Sequence, residues 1–255
     1  MADVYIILSC YPLDRSHHLD DADGDISSMF VYTGGVVPEH LKEHMTHARI
    51  DKSVKIIDRD AFRNCPNLLH VDFHDKVERV RKWAFHWCPS LGSVNNLLGV
   101  KVIEEEAFIR CCDMFDLVFG NELETVGRGA FYSCHSLRHL NIPSIRTIEE
   151  GAFFNCTGLM DAEFGVGLGS IENEAFEDCT SLRRIAIPLK DDMFTFNDQY
   201  EAYTQFDGCR RLTTVDLVGE IHKTLSPVCI SRTLEKLNES RNRPYQPNSS
   251  RYPCQ

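Results

Sequence analysis

Several features that would indicate a common function class are missing from this sequence of 255 residues. No apolar run approaches the roughly 20 residues that a membrane-spanning helix needs. The short apolar patch Val4–Cys10 has no basic region before it, so we expect no signal peptide and a cytoplasmic protein. The formal net charge is −11, which argues against nucleic acid as a partner, because neutralising phosphates needs a basic surface.

Motifs of the familiar enzyme classes are also missing. The sequence has no Gly-x-Ser-x-Gly, no Gly-rich phosphate loop and no protein-kinase signature. One zinc-protease motif is matched, because His40, Glu43 and His44 form the inverted pattern His-x-x-Glu-His. On a helix the two histidines would share one face, so a metal-dependent hydrolase is an alternative, although no protease domain surrounds the motif. We expect no enzyme activity, no bound metal and no cofactor.

The sequence does contain a strong internal repeat, the motif Ala-Phe-x-x-Cys. Its phenylalanines are Phe62, Phe85, Phe108, Phe131, Phe153 and Phe176, with a degenerate seventh copy at Phe206. Successive phenylalanines are 23, 23, 23, 22, 23 and 30 residues apart. Self-similarity at a fixed period of this length is typical of a solenoid.

Other apolar positions follow the same period. Five residues before the phenylalanines stand Ile57, Val80, Ile103, Val126, Ile148 and Ile171, and six residues after them stand Leu68, Leu91, Met114, Leu137, Leu159, Leu182 and Leu212. An alternating stretch follows in nearly every unit, as in Leu140-Asn141-Ile142, and predicts a strand with one buried face. A unit this short cannot bury its own core, so the units must stack, and equivalent strands then form a parallel sheet with about 4.8 Å between units.

The unit Leu137–Leu159 has the sequence Leu-x-x-Leu-x-Ile-Pro-x-Ile-x-x-Ile-x-x-x-Ala-Phe-x-x-Cys-x-x-Leu, which resembles the BspA-type leucine-rich repeat. The resemblance covers Ile50–Val218, about two-thirds of the chain. It implies a leucine-rich-repeat solenoid, an α/β-type repeat architecture of mostly short parallel strands, with about seven stacked units. It also implies a strand-lined face that binds other macromolecules, and no catalytic residues. Because the family occurs in bacterial surface antigens and the chain has sequons at Asn155, Asn238 and Asn248, a cell-surface or secreted adhesion protein is an alternative.

The repeat divides the chain into three predicted parts. Residues 1–47 form an N-terminal segment and cap, with a strand at Met29–Tyr32 and a short helix from Pro38 to Met45. Residues 48–219 form the solenoid. Residues 220–255 form a short helix followed by a disordered tail rich in polar residues and proline.

The cysteines of the repeat form a column, and two interpretations apply to it. Stacked cysteines one unit apart would lie within disulfide range. The chain has 11 cysteines but no Cys-x-x-Cys pair, which favours a reduced protein in which each thiol is a small buried residue behind its phenylalanine.

We predict a monomeric, non-enzymatic module for protein–protein interaction, whose protein partner the sequence does not identify. Residues that flank each buried strand position point outward by alternation. The candidate partner-binding face therefore consists of His70, Asp72, Asn95, Asp116, His139, Asn141, Asp161, Glu163, Arg183, Arg184 and Asp216.

Two irregular units mark further candidates. The last interval is longer, so we expect Leu189–Gln205 to leave the stack as a loop. The candidate loop residues are Asp191, Asp192, Phe194, Phe196, Tyr200 and Tyr203. In the third unit Asn96 stands where neighbouring units have Phe or Ile, which indicates a shifted register or a bulge.

Overall fold

A computed structural model describes residues 29–188, 190, 193–195, 198–199, 202–219 and 235. One helix, α1 (Glu39–Lys42), lies in the first of these ranges. The longer strands are β1 (Met29–Tyr32), β2 (His47–Ile50), β4 (His70–Asp72), β6 (Ser93–Leu97), β8 (Asp116–Phe119), β10 (His139–Ile142), β12 (Asp161–Phe164), β14 (Arg184–Pro188) and β15 (Thr214–Val218). The two-residue strands are β3 (Ile56–Ile57), β5 (Arg79–Val80), β7 (Val102–Ile103), β9 (Thr125–Val126), β11 (Thr147–Ile148) and β13 (Ser170–Ile171).

The longer strands form one parallel layer along the solenoid. Its strand orders are β1-β2-β4-β6-β8 and β10-β12-β14-β15, and every pair within each sheet is parallel. Each unit thus adds one level to the stack, which we call a rung. The predicted solenoid of stacked parallel strands is confirmed, and the predicted strand at Met29–Tyr32 pairs with β2 as its first member. No residue between 47 and 188 is helical, so turns rather than helices connect the strands.

The two-residue strands form a second parallel sheet, in the order β13-β11-β9-β7-β5-β3. Their second residues are the Ile/Val column that precedes each phenylalanine, and these side chains are fully buried. The sequence predicted this column only as buried, because a strand of two residues is too short to show alternation.

The Ala-Phe-x-x-Cys motif forms the third side of each rung. The amide of Phe62 donates to the carbonyl of Ala84 one rung away at 2.7 Å, and Phe108 donates to Ala130 in the same way at 2.8 Å. Each of the first six turns has two residues with a left-handed backbone, such as Asp60 (φ 57), and the seventh has Gly208 (φ 76). The phenylalanine rings of the seven copies stack face to face at 4.9 to 5.5 Å between centroids and are fully buried.

The cysteine column lies beside the phenylalanine stack. Its thiols are buried, and none of the cysteines in the described part of the chain forms a disulfide. Each thiol from Cys88 onward donates to the carbonyl of the phenylalanine one rung back, as from Cys88 to Phe62 at 3.0 Å and from Cys134 to Phe108 at 3.2 Å. The predicted burial is confirmed, and the S–H donor adds a hydrogen bond that an apolar residue of the same size could not make.

Both irregular units differ from their neighbours in ways that the backbone explains. The register between β6 and β8 shifts between Val94 and Leu97, which confirms the predicted bulge at Asn96. The prediction that all of Leu189–Gln205 leaves the stack is wrong for Met193–Thr195. Phe194 forms a parallel bridge with Ile171, 23 residues earlier, so the repeat period continues to this point. The extra residues therefore lie after Thr195.

The N-terminal helix is shorter than the sequence predicted. It begins after Pro38 as expected but ends at Lys42, so Glu43 and His44 lie beyond it. The expectation that His40 and His44 share one helix face is therefore wrong, and with it the geometry of the zinc-hydrolase alternative. In the described ranges no group of three or more His, Cys, Asp or Glu side chains is close enough to hold a metal ion. None of the helices there is long and apolar enough to span a membrane.

Candidate partner-binding face

The outward side chains of the longer strands form the face on which the sequence placed partner binding. In β10 the exposed residues His139 and Asn141 alternate with the buried residues Leu140 and Ile142, as predicted. The same alternation is present in β4 and β12. We call the outward columns of these strands, from β2 to β15, the strand face.

A hydrogen-bonded cluster occupies the N-terminal half of the strand face. The imidazole of His70 contacts Ser93 Oγ through Nδ1 at 2.6 Å and Asp72 Oδ1 through Nε2 at 2.8 Å. The side-chain amide of Asn95 lies 3.3 Å from His70 Nε2 and 3.4 Å from Asp72 Oδ1. Three of the predicted face residues, His70, Asp72 and Asn95, therefore hold one another in place together with Ser93.

Ion pairs occupy the C-terminal half of the strand face. The guanidinium of Arg184 contacts a carboxylate oxygen of Glu163 and, through Nε, Asp216 Oδ2 at 2.5 Å. The hydrogen bond to Glu163 raises the pKa of Arg184 most, and the hydrogen bond to Asp216 raises it further. His139 Nδ1 lies 3.0 Å from Asp161 Oδ2. The charges of this half are thus largely paired within the molecule.

The predicted face residues that remain are Asn141, Asp116 and Arg183. Asn141 is exposed, and the backbone of Asp116 lies in β8 opposite Ser93. Arg183 is exposed but precedes β14, so it lies at the edge of the strand face rather than within it. An apolar residue, Val118, is 66% exposed in β8.

The candidate loop is only partly described. Asp191, Asp192, Phe196 and Tyr200 lie outside the described residues. Phe194 was predicted as a loop residue available to a partner, but it is buried and meets the ring of Phe206 edge-on at 5.8 Å between centroids. Tyr203 is partly buried against the same core. The correction follows from the retained repeat period, which places Phe194 in the buried Ile/Val column.

One element of the surface escaped the sequence analysis. Gly92 lies in an open groove of about 830 Å³ at the edge of the strand face, with Leu69, Phe115 and Arg138 among the residues around it. These residues follow the buried leucine column directly, so the repeat alignment contains the signal. The residue type at this position changes from unit to unit, however, and only the structure shows that these residues form one continuous edge.

The sequon at Asn155 is a poor position for a glycan. The side-chain amide of Asn155 donates to Ser133 Oγ on the preceding rung at 3.1 Å, and the backbone is left-handed at φ 56. Asn238 and Asn248 lie outside the described residues.

A family model described as the BspA type leucine rich repeat region, with six copies, matches residues 41–159 and 129–242. The chain belongs to the BspA-type leucine-rich repeat family. This agrees with the resemblance of the unit Leu137–Leu159, and such repeat proteins are generally non-enzymatic. No curated protein shows significant sequence similarity to this BspA-type chain.

A solved structure with a TM-score of 0.50 has the same fold. A leucine rich repeat protein from T. pallidum is similar over 82% of this chain and 87% of that chain, with 20% identity and a TM-score of 0.50. A leucine rich cell surface protein from Faecalibacterium prausnitzii has 21% identity and a TM-score of 0.45, over 68% of this chain and 61% of that chain. A leucine-rich repeat protein from Bacteroides ovatus has 22% identity and a TM-score of 0.45, over the same shares of the two chains.

Proposed function

We propose that this BspA-type chain is a non-catalytic interaction module that binds a protein partner on its strand face in the cytoplasm. The observation that supports the proposal is the order of the exposed side chains. His70, Asp72 and Asn95 are fixed by hydrogen bonds, and Arg184 is fixed by two carboxylates. A surface whose side chains are already ordered loses less conformational entropy when a partner binds.

Affinity capture from the native source, with the full chain as bait, tests the proposal. We expect a partner to be retained by the wild-type chain and lost with the double variant Val118→Glu and Asn141→Arg, which changes two exposed positions of the strand face. The matched control is Glu124→Arg, a charge change on an exposed side chain next to the second sheet. Equal capture by the face variant and the control would contradict the proposal. Recovery of the intact protein from a membrane or glycosylated fraction would contradict the cytoplasmic location.

A further inference from the structure

One column of residues runs unbroken along the edge of the strand face. We call it the edge column, and its members are Leu69, Gly92, Phe115, Arg138, Met160 and Arg183. Backbone hydrogen bonds join each member to the one before it, from Gly92 to Leu69 at 3.0 Å through to Arg183 to Met160 at 2.8 Å. The column continues from Phe115 to Arg138, where β8 and β10 have no ladder pairing between them. The six residues therefore lie on six consecutive rungs.

The N-terminal end of the edge column is a groove between two exposed apolar side chains. Leu69 and Phe115 are 47% and 46% exposed, and Gly92 lies between them. A Cβ atom at Gly92 would meet the Phe115 ring at 3.5 Å and nothing nearer. The missing side chain thus leaves space for a side chain from outside between two exposed apolar residues. Asp113, three serines, His139 and the side chain of Arg138 complete the lining, so the groove continues into the cationic part of the column.

The C-terminal end of the edge column is cationic. Arg138 and Arg183 are exposed, and neither forms an ion pair with any residue that the structure describes. The neighbouring Arg184, in contrast, is neutralised by Glu163 and Asp216. In a molecule of net charge −11, two unpaired arginines along one column are a local site for negative charge.

We propose that the edge column binds an extended segment of a protein partner that has one large apolar residue and two carboxylates. With rungs about 4.8 Å apart, the backbone at Gly92 lies about 10 Å from the backbone at Arg138, which lies about 10 Å from that at Arg183. An extended chain advances about 3.3 Å per residue, so the carboxylates stand about three and six residues from the apolar residue. The inference rests on the proposed function and specifies the chemistry of the partner.

The charge pattern favours this occupant over others. A long polyanion such as nucleic acid would meet the acidic remainder of the molecule. Residues 220–255 of this chain contain six Lys/Arg and three Asp/Glu, so their charge has the same sign as that of the two arginines. A short acidic segment matches the groove and the arginines together.

A synthetic probe tests the inference directly on the full chain. The probe is a fluorescein-labelled peptide with one tryptophan, glutamates three and six residues after it and serine elsewhere, measured by fluorescence anisotropy at low salt. We expect saturable binding, with a Kd about fivefold higher for a peptide with glutamines in place of glutamates, as for two exposed ion pairs. Replacing the tryptophan by alanine is expected to raise the Kd about tenfold.

Matched variants separate the groove from the rest of the surface. Gly92→Gln fills the groove and is expected to raise the Kd of the probe about tenfold. Gly167→Gln is the control, because Gly167 is exposed, as Gly92 partly is, and its Cβ would meet nothing nearer than 3.7 Å. Neither glycine has a left-handed backbone, so both variants should fold. The double variant Arg138→Gln and Arg183→Gln should weaken the glutamate probe about fivefold and leave the glutamine peptide unchanged.

Several outcomes would overturn the inference. Absence of saturable binding, or equal binding by Gly92→Gln and Gly167→Gln, would do so. Self-association of the full chain that Gly92→Gln abolishes would place a second copy in the groove. Residues 1–47 contain an acidic stretch with Asp20, Asp21, Asp23 and Asp25. Tighter probe binding after these four are changed to asparagine would place the chain's own N-terminal segment in the groove. If the double variant Val118→Glu and Asn141→Arg loses the native partner and Gly92→Gln retains it, the inference fails and the proposed function stands.

Discussion

At the scale of single residues, the phenylalanine of each copy is the largest fully buried side chain of its rung. Phe131 is fully buried, and its ring lies parallel to those of Phe108 and Phe153, each 5.3 Å away between centroids. Offset stacking adds to the free energy of burial. Because every middle copy has a ring on both sides, removing one ring leaves a cavity that two neighbours border.

The first prediction concerns this ring. Phe131→Ala should lower the free energy of unfolding by about 3–5 kcal/mol, as other buried phenylalanine truncations do. Asn141→Ala, on the exposed strand face, should change it by less than about 0.5 kcal/mol. Urea titrations followed by circular dichroism measure both values. Comparable losses at the two positions would contradict the assigned inner and outer faces.

The second prediction compares two adjacent cysteines. Burial raises the pKa of the Cys111 thiol well above its usual range, and Cys111 lies in the buried column. Cys112 is partly exposed. Since the thiolate is the reactive form, iodoacetamide should label Cys112 at least about tenfold faster than Cys111 in the native protein. Tandem mass spectrometry distinguishes the two sites. Equal rates under native conditions would contradict the burial of the column, and equal rates in urea are the expected control.

At the scale of elements, β6 shows how one rung departs from the repeat without leaving the stack. Asn96 has a left-handed backbone at φ 61, and the buried position passes to Leu97, which is fully buried and pairs with Phe119. Asparagine tolerates this conformation better than a β-branched residue does. The bulge therefore follows from a residue that the repeat consensus would not place there.

The third prediction tests the bulge. Asn96→Ile restores the consensus residue, yet it should lower the free energy of unfolding by about 1–2 kcal/mol, because isoleucine is strained in the left-handed region. Asn96→Gly should stay within about 1 kcal/mol of the wild type, since glycine adopts this backbone without strain. Urea midpoints compare the two variants. A gain in stability with isoleucine would show that β6 can return to the regular register.

At the scale of the whole molecule, the described strands of each rung contact the strands of the adjacent rungs. The parallel pairings join equivalent residues of adjacent units, as in His139 with Asp161 and Asp161 with Arg184. Stability in such a stack is approximately a sum over rungs and the interfaces between them. Removing one complete period should therefore preserve the architecture, whereas removing part of a period should not.

The fourth prediction follows from this additivity. Deleting residues 154–176, one full period of 23 residues, joins Phe153 to Glu177 and restores the Ala-Phe-x-x-Cys motif. We expect a folded chain that unfolds cooperatively, with a urea m-value lower by about a tenth because less surface is buried. Deleting residues 154–173 removes a similar length but breaks the period. A cooperative transition in the second deletion and none in the first would contradict the model of independent rungs.

The sequence by itself determined the period, the buried columns and the outward columns, because the same apolar positions recur six times. Tertiary structure alone decided the rest. The sheet of two-residue strands depends on pairing between rungs, and Phe194 joins the core because the period continues to it. Arg184 meets Glu163 and Asp216, which are 21 and 32 residues away, only because stacking makes the rungs neighbours. Likewise the missing side chain of Gly92 forms a groove only because Leu69 and Phe115 lie on the rungs at either side of it.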